Sequence, residues 1–426
     1  MLTKVLQVFR IAELRTKILT VLGLLVAFRL FAAIPIPGVD AEQLRNFFSS
    51  NQLLGFLNIF SGGGLSNLSV AMLGVGPYIT ATIIMQLLTM VFPNLKKLYY
   101  EEGPAGRAKF NRISRYLTVP LAALQGYGFL NLLISQKVLQ PLDPFGMVQS
   151  VILIVTGTLI LMWIGEIISE QKIGNGISLI IFAGIVSGLP QFFAQLYFQF
   201  RTATFEDPTK YIVFALLSVL VVAGVVFINE GERKVPISYA RRVRGTKLFG
   251  GVSSYLPLKV NQAGVIPIIF AISLLLFPQF FAQIISPLSP ALSAILSDYI
   301  NRAFNNPLIY SFFYFALVVV FTFFYTAVTF DPAEISKNLQ QSGGFVPGIR
   351  PGAPTGEFLK RIIHRITLPG AFFLGAIAIM PNLVQLAIGS PLFQIGGAAL
   401  LIVVAVALET IRQIDSQLTV REYEGL

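Results

Sequence analysis

The sequence predicts an all-α membrane protein in which ten transmembrane helices surround one axis, with a small β-hairpin standing outside the bundle. Two observations carry this class. Ten apolar stretches recur along the chain, each close to the roughly 20 residues that cross a hydrocarbon core of about 30 Å. Lys and Arg fall almost entirely into alternate gaps between those stretches. Composition agrees, with 55% hydrophobic and 12% charged residues, so the two or three domains expected of a soluble chain this long do not apply.

The first stretch, 18–36, follows an amphipathic start carrying Lys4, Arg10, Glu13, Arg15 and Lys17. No small-residue cleavage site follows it, and it reads as an uncleaved span. The next four cover 68–92, 116–134, 148–168 and 177–200; the last five cover 211–228, 263–285, 308–330, 368–388 and 391–408. Arg29 and Glu166 are the charged residues inside them. A charge at the centre of a span costs about 2.5–3.5 kcal/mol on insertion scales, so runs this clean read as spans. With the amino terminus in the cytoplasm, 25 of the 31 Lys and Arg are cytoplasmic, while Arg45, Lys137, Arg201, Lys210 and Arg302 lie opposite. That asymmetry places both chain ends in the cytoplasm. Topology accounts for the formal charge of +11, which leaves anionic lipid headgroups and a cytoplasmic partner, rather than direct nucleic-acid recognition, as its counterparts.

Between the first two spans, residues 58–69 are apolar and rich in Gly and Ser, too short to cross the bilayer. Two readings stand: an external loop capping the bundle, or a re-entrant piece inside a pore, since broken backbone at membrane depth needs protein or a watery cavity around it. Gly74, Gly76 and Pro77, Gly174 and Gly176, and Gly264 and Pro267 punctuate spans two, five and seven, as close packing and kinks require. The loop 230–261 holds two β-prone runs, 234–240 and 247–252, around a basic turn, and reads as a hairpin. The loop 331–367 holds an amphipathic helix through Glu334 and Leu339, then a Pro/Gly-spaced turn, 343–352, that presents Arg350.

Catalytic chemistry has no residues to stand on. The single His, His364, lies among Lys360, Arg361 and Arg365; there is no Cys; and no zinc, nucleophile-elbow or phosphate-loop pattern occurs. The reading is no enzyme, no metal and no cofactor. An ion-coupled transporter would place ionisable groups at mid-depth. The interior offers aliphatic side chains instead, suited to a narrow hydrophobic constriction for something large and varied. A pore-free scaffold remains the third reading.

Seven motifs then carry a resemblance: 31–38 (Phe-Ala-Ala-Ile-Pro-Ile-Pro-Gly), 60–63 (Phe-Ser-Gly-Gly), 76–79 (Gly-Pro-Tyr-Ile), 174–185 (opening Gly-Asn-Gly-Ile-Ser), 256–261 (Leu-Pro-Leu-Lys-Val-Asn), 263–267 (Ala-Gly-Val-Ile-Pro) and 345–352 (Phe-Val-Pro-Gly-Ile-Arg-Pro-Gly). Together, and nearly end to end, the chain resembles the bacterial SecY family, channel subunits of the protein-export translocon. The resemblance implies two inverted five-helix halves, 1–200 and 201–426, around an hourglass pore in the cytoplasmic membrane. It implies a constriction ring of Val75, Ile79, Ile177, Ile181, Ile269 and Ile402, with Val75 where Ile is commoner. It implies a plug at about 58–69, centred on Phe60, Ser61, Gly62, Gly63, Gly64, Leu65 and Ser66. Spans two and three against seven and eight would form a lateral gate for signal sequences and membrane helices. Arg241, Arg242, Lys247 and Arg350 would face the SecA ATPase or the ribosome, with ribosomal RNA met only through the ribosome; Thr246-Lys247 stands where many relatives carry two arginines. SecE and SecG are the implied companion subunits, and anionic lipids the implied surroundings.

Overall fold

The computed structural model describes residues 11–36, 61, 64–65, 68–135, 138–202, 209–239, 242–244, 247–249, 253–285, 289–304, 306–388 and 397–424. A helix lies on each of the ten apolar stretches. In chain order they are α1 (Ala12–Ala33), α2 (Gly76–Val91), α4 (Gly103–Ser135), α5 (Pro144–Glu170), α6 (Gly176–Thr202), α7 (Thr209–Glu230), α8 (Ile266–Ile285), α10 (Pro307–Thr329), α12 (Ala353–Ile388) and α13 (Gly397–Glu424). Three helices outside the stretches complete the numbering: α3 (Pro93–Tyr100), α9 (Pro290–Phe304) and α11 (Pro332–Gln341). Among the described residues, seven helices are long and apolar enough to cross a membrane, and an eighth span results if α2 and α3 are joined across their 113° bend. The 16 residues of α2 reach only about 24 Å, which is why that span needs help from the segment before it.

Large apolar residues stand exposed in stripes at helical spacing: Leu19, Leu22, Val26 and Leu30 on α1, and Ile212, Leu216, Val219 and Phe227 on α7. Apolar area of this kind is tolerated against lipid or another apolar chain, and the protein is a multi-pass membrane protein. Aspartate followed by proline starts two helices. Asp143 accepts from the Gly146 N–H ahead of α5, and Asp331 accepts from Ala333 and Glu334 N–H ahead of α11; the proline costs nothing at a position whose N–H is unsatisfied anyway.

Contacts divide the chain into two compact units. One comprises Met1–Pro208, Ser273–Asn306 and Ile402–Leu426; the other comprises Thr209–Ile272 and Pro307–Leu401. This is a grouping by contact and differs from the halves 1–200 and 201–426, which follow chain order. In the first unit, Leu65, Leu68 and Met72 share a core with Phe129, Leu130, Leu133 and Ile154. Met85, Leu98 and Phe110 form a second core where α2, α3 and α4 meet. Leu14 on α1 packs on Leu418 near the end of α13.

In the second unit, α10 lies along α12, joined by a side-chain hydrogen bond from Asn382 to Ser311. Outside the spans stands a three-stranded antiparallel sheet, ordered β4 (Ser253–Lys259), β1 (Glu232–Tyr239) and β5 (Gly344–Phe345). A separate ribbon pairs β2 (Arg242–Arg244) with β3 (Lys247–Phe249). This corrects the hairpin expected from 234–240 and 247–252: the partner of β1 is β4, in register from Glu232–Lys259 to Ser238–Ser253. Burial decides the register, because Val235 and Ile237 on β1 and Leu258 on β4 are all buried and a one-residue slip would turn them outward. Pro257 is tolerated because β4 is an edge strand.

Candidate functional site

Three places gather the residues singled out by sequence. The first is the stretch after α1. Phe60, Gly62, Gly63 and Ser66 lie outside the described residues. Ser61, Gly64 and Leu65 lie within them and are buried, Leu65 at 1% and Leu68 at 0% exposure. Leu65 and Leu68 pack among α4 and α5 residues in the core described above, so this part of the segment is not a loop standing in solvent. The Ser61 Oγ accepts from the Leu65 N–H at 3.0 Å, and the Ser69 Oγ donates to the Gly64 carbonyl at 3.0 Å. The Gly/Ser content seen in the sequence is thus used locally to satisfy a buried turn.

The second is the set of aliphatic residues at the starts of two helices. Val75 caps α2 and its carbonyl accepts from the Ile79 N–H at 3.1 Å; Ile177 and Ile181 sit one turn apart at the start of α6. Both pairs are four residues apart and so share a helix face. Val75 and Ile181 are buried, while Ile79 and Ile177 are half-buried. The Gly-Asn-Gly turn before α6 is fitted to α5: Gly176 donates to Ser169 Oγ at 2.9 Å, and Asn175 Oδ1 accepts from the Ser178 N–H at 3.2 Å. A Cβ on Gly176 would stand 1.8 Å from the Gly165 carbonyl oxygen. Ile402 is fully buried in α13 and belongs to the same unit; Ile269, in α8, is buried in the other unit. Glu166, the one acidic residue within a predicted span, pairs with Arg115 of α4 at 2.6 Å, a partner that sequence spacing could not reveal.

The third is a platform built from the two long loops. Val235 and Leu258 of the sheet, Val346 of the turn, and Leu359 and Ile363 of α12 form one small core, with Ile335 of α11 and Ile349 packed against it. Above it, Gly343, Gly348 and Gly352 adopt φ of 74°, 82° and 95°, a region open to glycine at little cost. The Arg350 carbonyl accepts from Thr355 Oγ1 at 2.9 Å, and Ser336 Oγ donates to the Gly352 carbonyl at 2.6 Å. The turn is therefore held at both sides while the Arg350 side chain stays exposed and, among the described residues, without an ion pair. Arg242 and Lys247 are placed by their strands β2 and β3; Arg241 lies outside the described residues. His364 lines a cleft of about 710 Å³ between α10, α11 and α12, with its ring 5.2 Å from that of Phe323. Among the described residues no three His, Cys, Asp or Glu converge as a metal site would require.

Comparisons with known proteins bear on the family and the fold. The SecY family model matches residues 69–411. Proteins named protein translocase subunit SecY from Mycobacterium leprae and Streptomyces coelicolor are 40% and 41% identical, each covering 100% of this chain and 99% of the relative. A solved structure described as a protein-conducting channel superposes with a TM-score of 0.63 over 93% of this chain and 90% of its own, at 21% identity. Another, described as Sec61 in a canine ribosome–channel complex from the endoplasmic reticulum, gives 0.62 over 93% and 90% at 20% identity. At these identities the structures speak for the fold alone.

Proposed function

The chain belongs to the SecY family, and on that premise we propose that it is a protein-conducting channel that passes unfolded polypeptides across the cytoplasmic membrane and releases transmembrane segments sideways into lipid. Full-length identity to translocase subunits is the observation that carries this reading. The bundle supplies no chemistry of its own, so a docked SecA motor or a translating ribosome drives movement. SecE and SecG complete the complex, and both chain ends face the cytoplasm.

Within that reading, Val75, Ile79, Ile177, Ile181, Ile269 and Ile402 form the constriction, contributed by the inverted halves 1–200 and 201–426. Aliphatic side chains close around a chain of any sequence, because dispersion needs no matched hydrogen bonds, and a dry constriction resists ions. Residues 58–69 are the plug, a reading supported by the burial of Leu65 and Leu68. Arg241, Arg242, Lys247 and Arg350 face the motor or ribosome, whose phosphates or carboxylates guanidinium groups bind well. Signal sequences enter between spans two and three and spans seven and eight.

The test is motor-driven translocation. Proteoliposomes carrying this chain with SecE and SecG partners, given SecA, ATP and a secretory precursor, should protect the precursor from external protease. Arg350→Glu should lower the protected fraction sharply without lowering the amount of channel inserted. A precursor that stays fully digestible with the parent channel overturns the function; full protection with Arg350→Glu overturns the docking role alone.

A further inference from the structure

We infer that Gly157 is a positioning residue for the seal: a notch on α5 that seats the backbone just after the plug, so that the plug swings from a fixed pivot without disturbing the start of α2. The inference rests on the plug reading above. A Cβ at Gly157 would stand 2.0 Å from the Val70 carbonyl oxygen and 2.7 Å from its carbonyl carbon. These are backbone atoms and cannot turn aside as a side-chain tip does, so only glycine admits the main chain here. The same segment is held on another side by the end of α1: the Val70 N–H donates to the Ile34 carbonyl at 3.0 Å, and the Ile36 N–H donates to the Leu68 carbonyl at 2.8 Å, an antiparallel bridge centred on Pro35 and Ser69.

From this double anchor, tight turns lead to the constriction. Met72 N–H donates to the Ser69 carbonyl, Gly74 N–H to Ala71 and Gly76 N–H to Leu73, at 2.9, 2.8 and 3.2 Å, and Val75 then caps α2. A displacement at Val70 is passed along this short, internally bonded path to Val75 and Ile79. On the plug side the turn is bonded as well, with the Leu68 N–H donating to the Leu65 carbonyl at 3.1 Å and the Ser69 N–H to the Gly64 carbonyl at 2.9 Å. Leu68 has φ of 38°, a left-handed value that favours glycine. Displacement of the plug breaks these bonds at Gly64 and Leu65, while 69–75 stays seated against Gly157 and the end of α1.

The experiment uses the cysteine-free parent chain in its complex, with a single Cys replacing Leu65, or a control Cys replacing Leu133 in the same core. Gly157→Ala should raise resting ion conductance severalfold and accelerate thiol labelling of the Leu65→Cys position while leaving the Leu133→Cys position slow. Gly126→Ala, whose Cβ meets only the Ile154 side chain at 3.2 Å, should do neither. Unchanged conductance and labelling in Gly157→Ala overturns the notch, as does equal acceleration at both cysteines, which marks general loosening. Deletion of residues 61–67 judges the plug separately: conductance unchanged by the deletion sinks the plug reading, whereas a rise with deletion but none with Gly157→Ala sinks only the notch. Should Gly157→Ala fail to accumulate, hydrogen exchange on the parent chain decides: with a precursor stalled in the channel, amides of 70–75 should keep their protection while those of 64–65 lose it, and loss in both overturns the anchor.

Discussion

A seal made of aliphatic side chains works by denying water a partner, and it fails residue by residue when a polar or missing side chain lets water in. Ile79, Ile181 and Ile269 test this without disturbing helix starts, since none caps its helix. Replacing all three by Ser removes three branched hydrocarbons and adds hydroxyls that bind water. Planar-bilayer recording should show resting conductance well above that of the parent, with insertion unchanged; conductance equal to the parent removes these residues from the constriction. The aliphatic character of these positions is plain in the sequence, as is the four-residue spacing of Ile79 from Val75 and of Ile181 from Ile177. Their packing is not: the Ile177 side chain leans on Gly165, where a Cβ would meet its Cδ1 at 2.6 Å, and the pairing of Glu166 with Arg115 joins residues some fifty positions apart.

Among elements, the platform formed by the two long loops depends on a core small enough that one side chain matters. Leu258 is fully buried there, and a buried Leu→Ala change costs about 2–5 kcal/mol through lost transfer energy and the cavity left behind. Because the spans are stabilised elsewhere, Leu258→Ala should loosen the platform alone. Limited trypsin digestion should cut within 233–259 faster than in the parent while the spans stay intact and the Arg350-dependent export falls; an unchanged digestion pattern would show that the sheet stands without this core. How legible such elements are depends on whether their cause is local. The Asp143-Pro144 and Asp331-Pro332 starts are written in adjacent residues, and the turn around Arg350 follows from its prolines and glycines. Two β-prone runs around a basic turn point β1 to 247–252, and the facts that pair it with β4 instead are distant: β4 lies at an edge, where Pro257 is tolerated, and Leu258 faces a core completed by α12. The sharp turn from α2 to α3 at Phe92 and the amphipathic α9 escaped a reading tuned to long apolar runs.

For the molecule as a whole, the sequence and the helix lengths lead to different counts. Ten spans follow from ten apolar stretches and the alternation of basic gaps, whereas seven helices, or eight with the bent pair joined, satisfy a length and apolarity criterion among the described residues. The doubtful cases have physical reasons: α2 is short and bent, the apolar helix at Ile266–Leu275 is short as described, and α13 turns charged after Leu408. An odd number of crossings would leave the chain ends on opposite sides of the membrane; eight or ten would leave them on the same side. Because the chain lacks cysteine, single Cys substitutions at Lys4, Asp143, Lys172, Lys234, Asp298, Arg350 and Arg412 each report the side of one gap or chain end. With an impermeant maleimide added to intact cells, Asp143→Cys and Asp298→Cys should label, and the other five should label only after the membrane is opened. The informative position is Asp298: if α8 turns back without crossing, Asp298→Cys falls silent from outside, and the basic residues of the platform lose the shared side that positive-inside insertion demands.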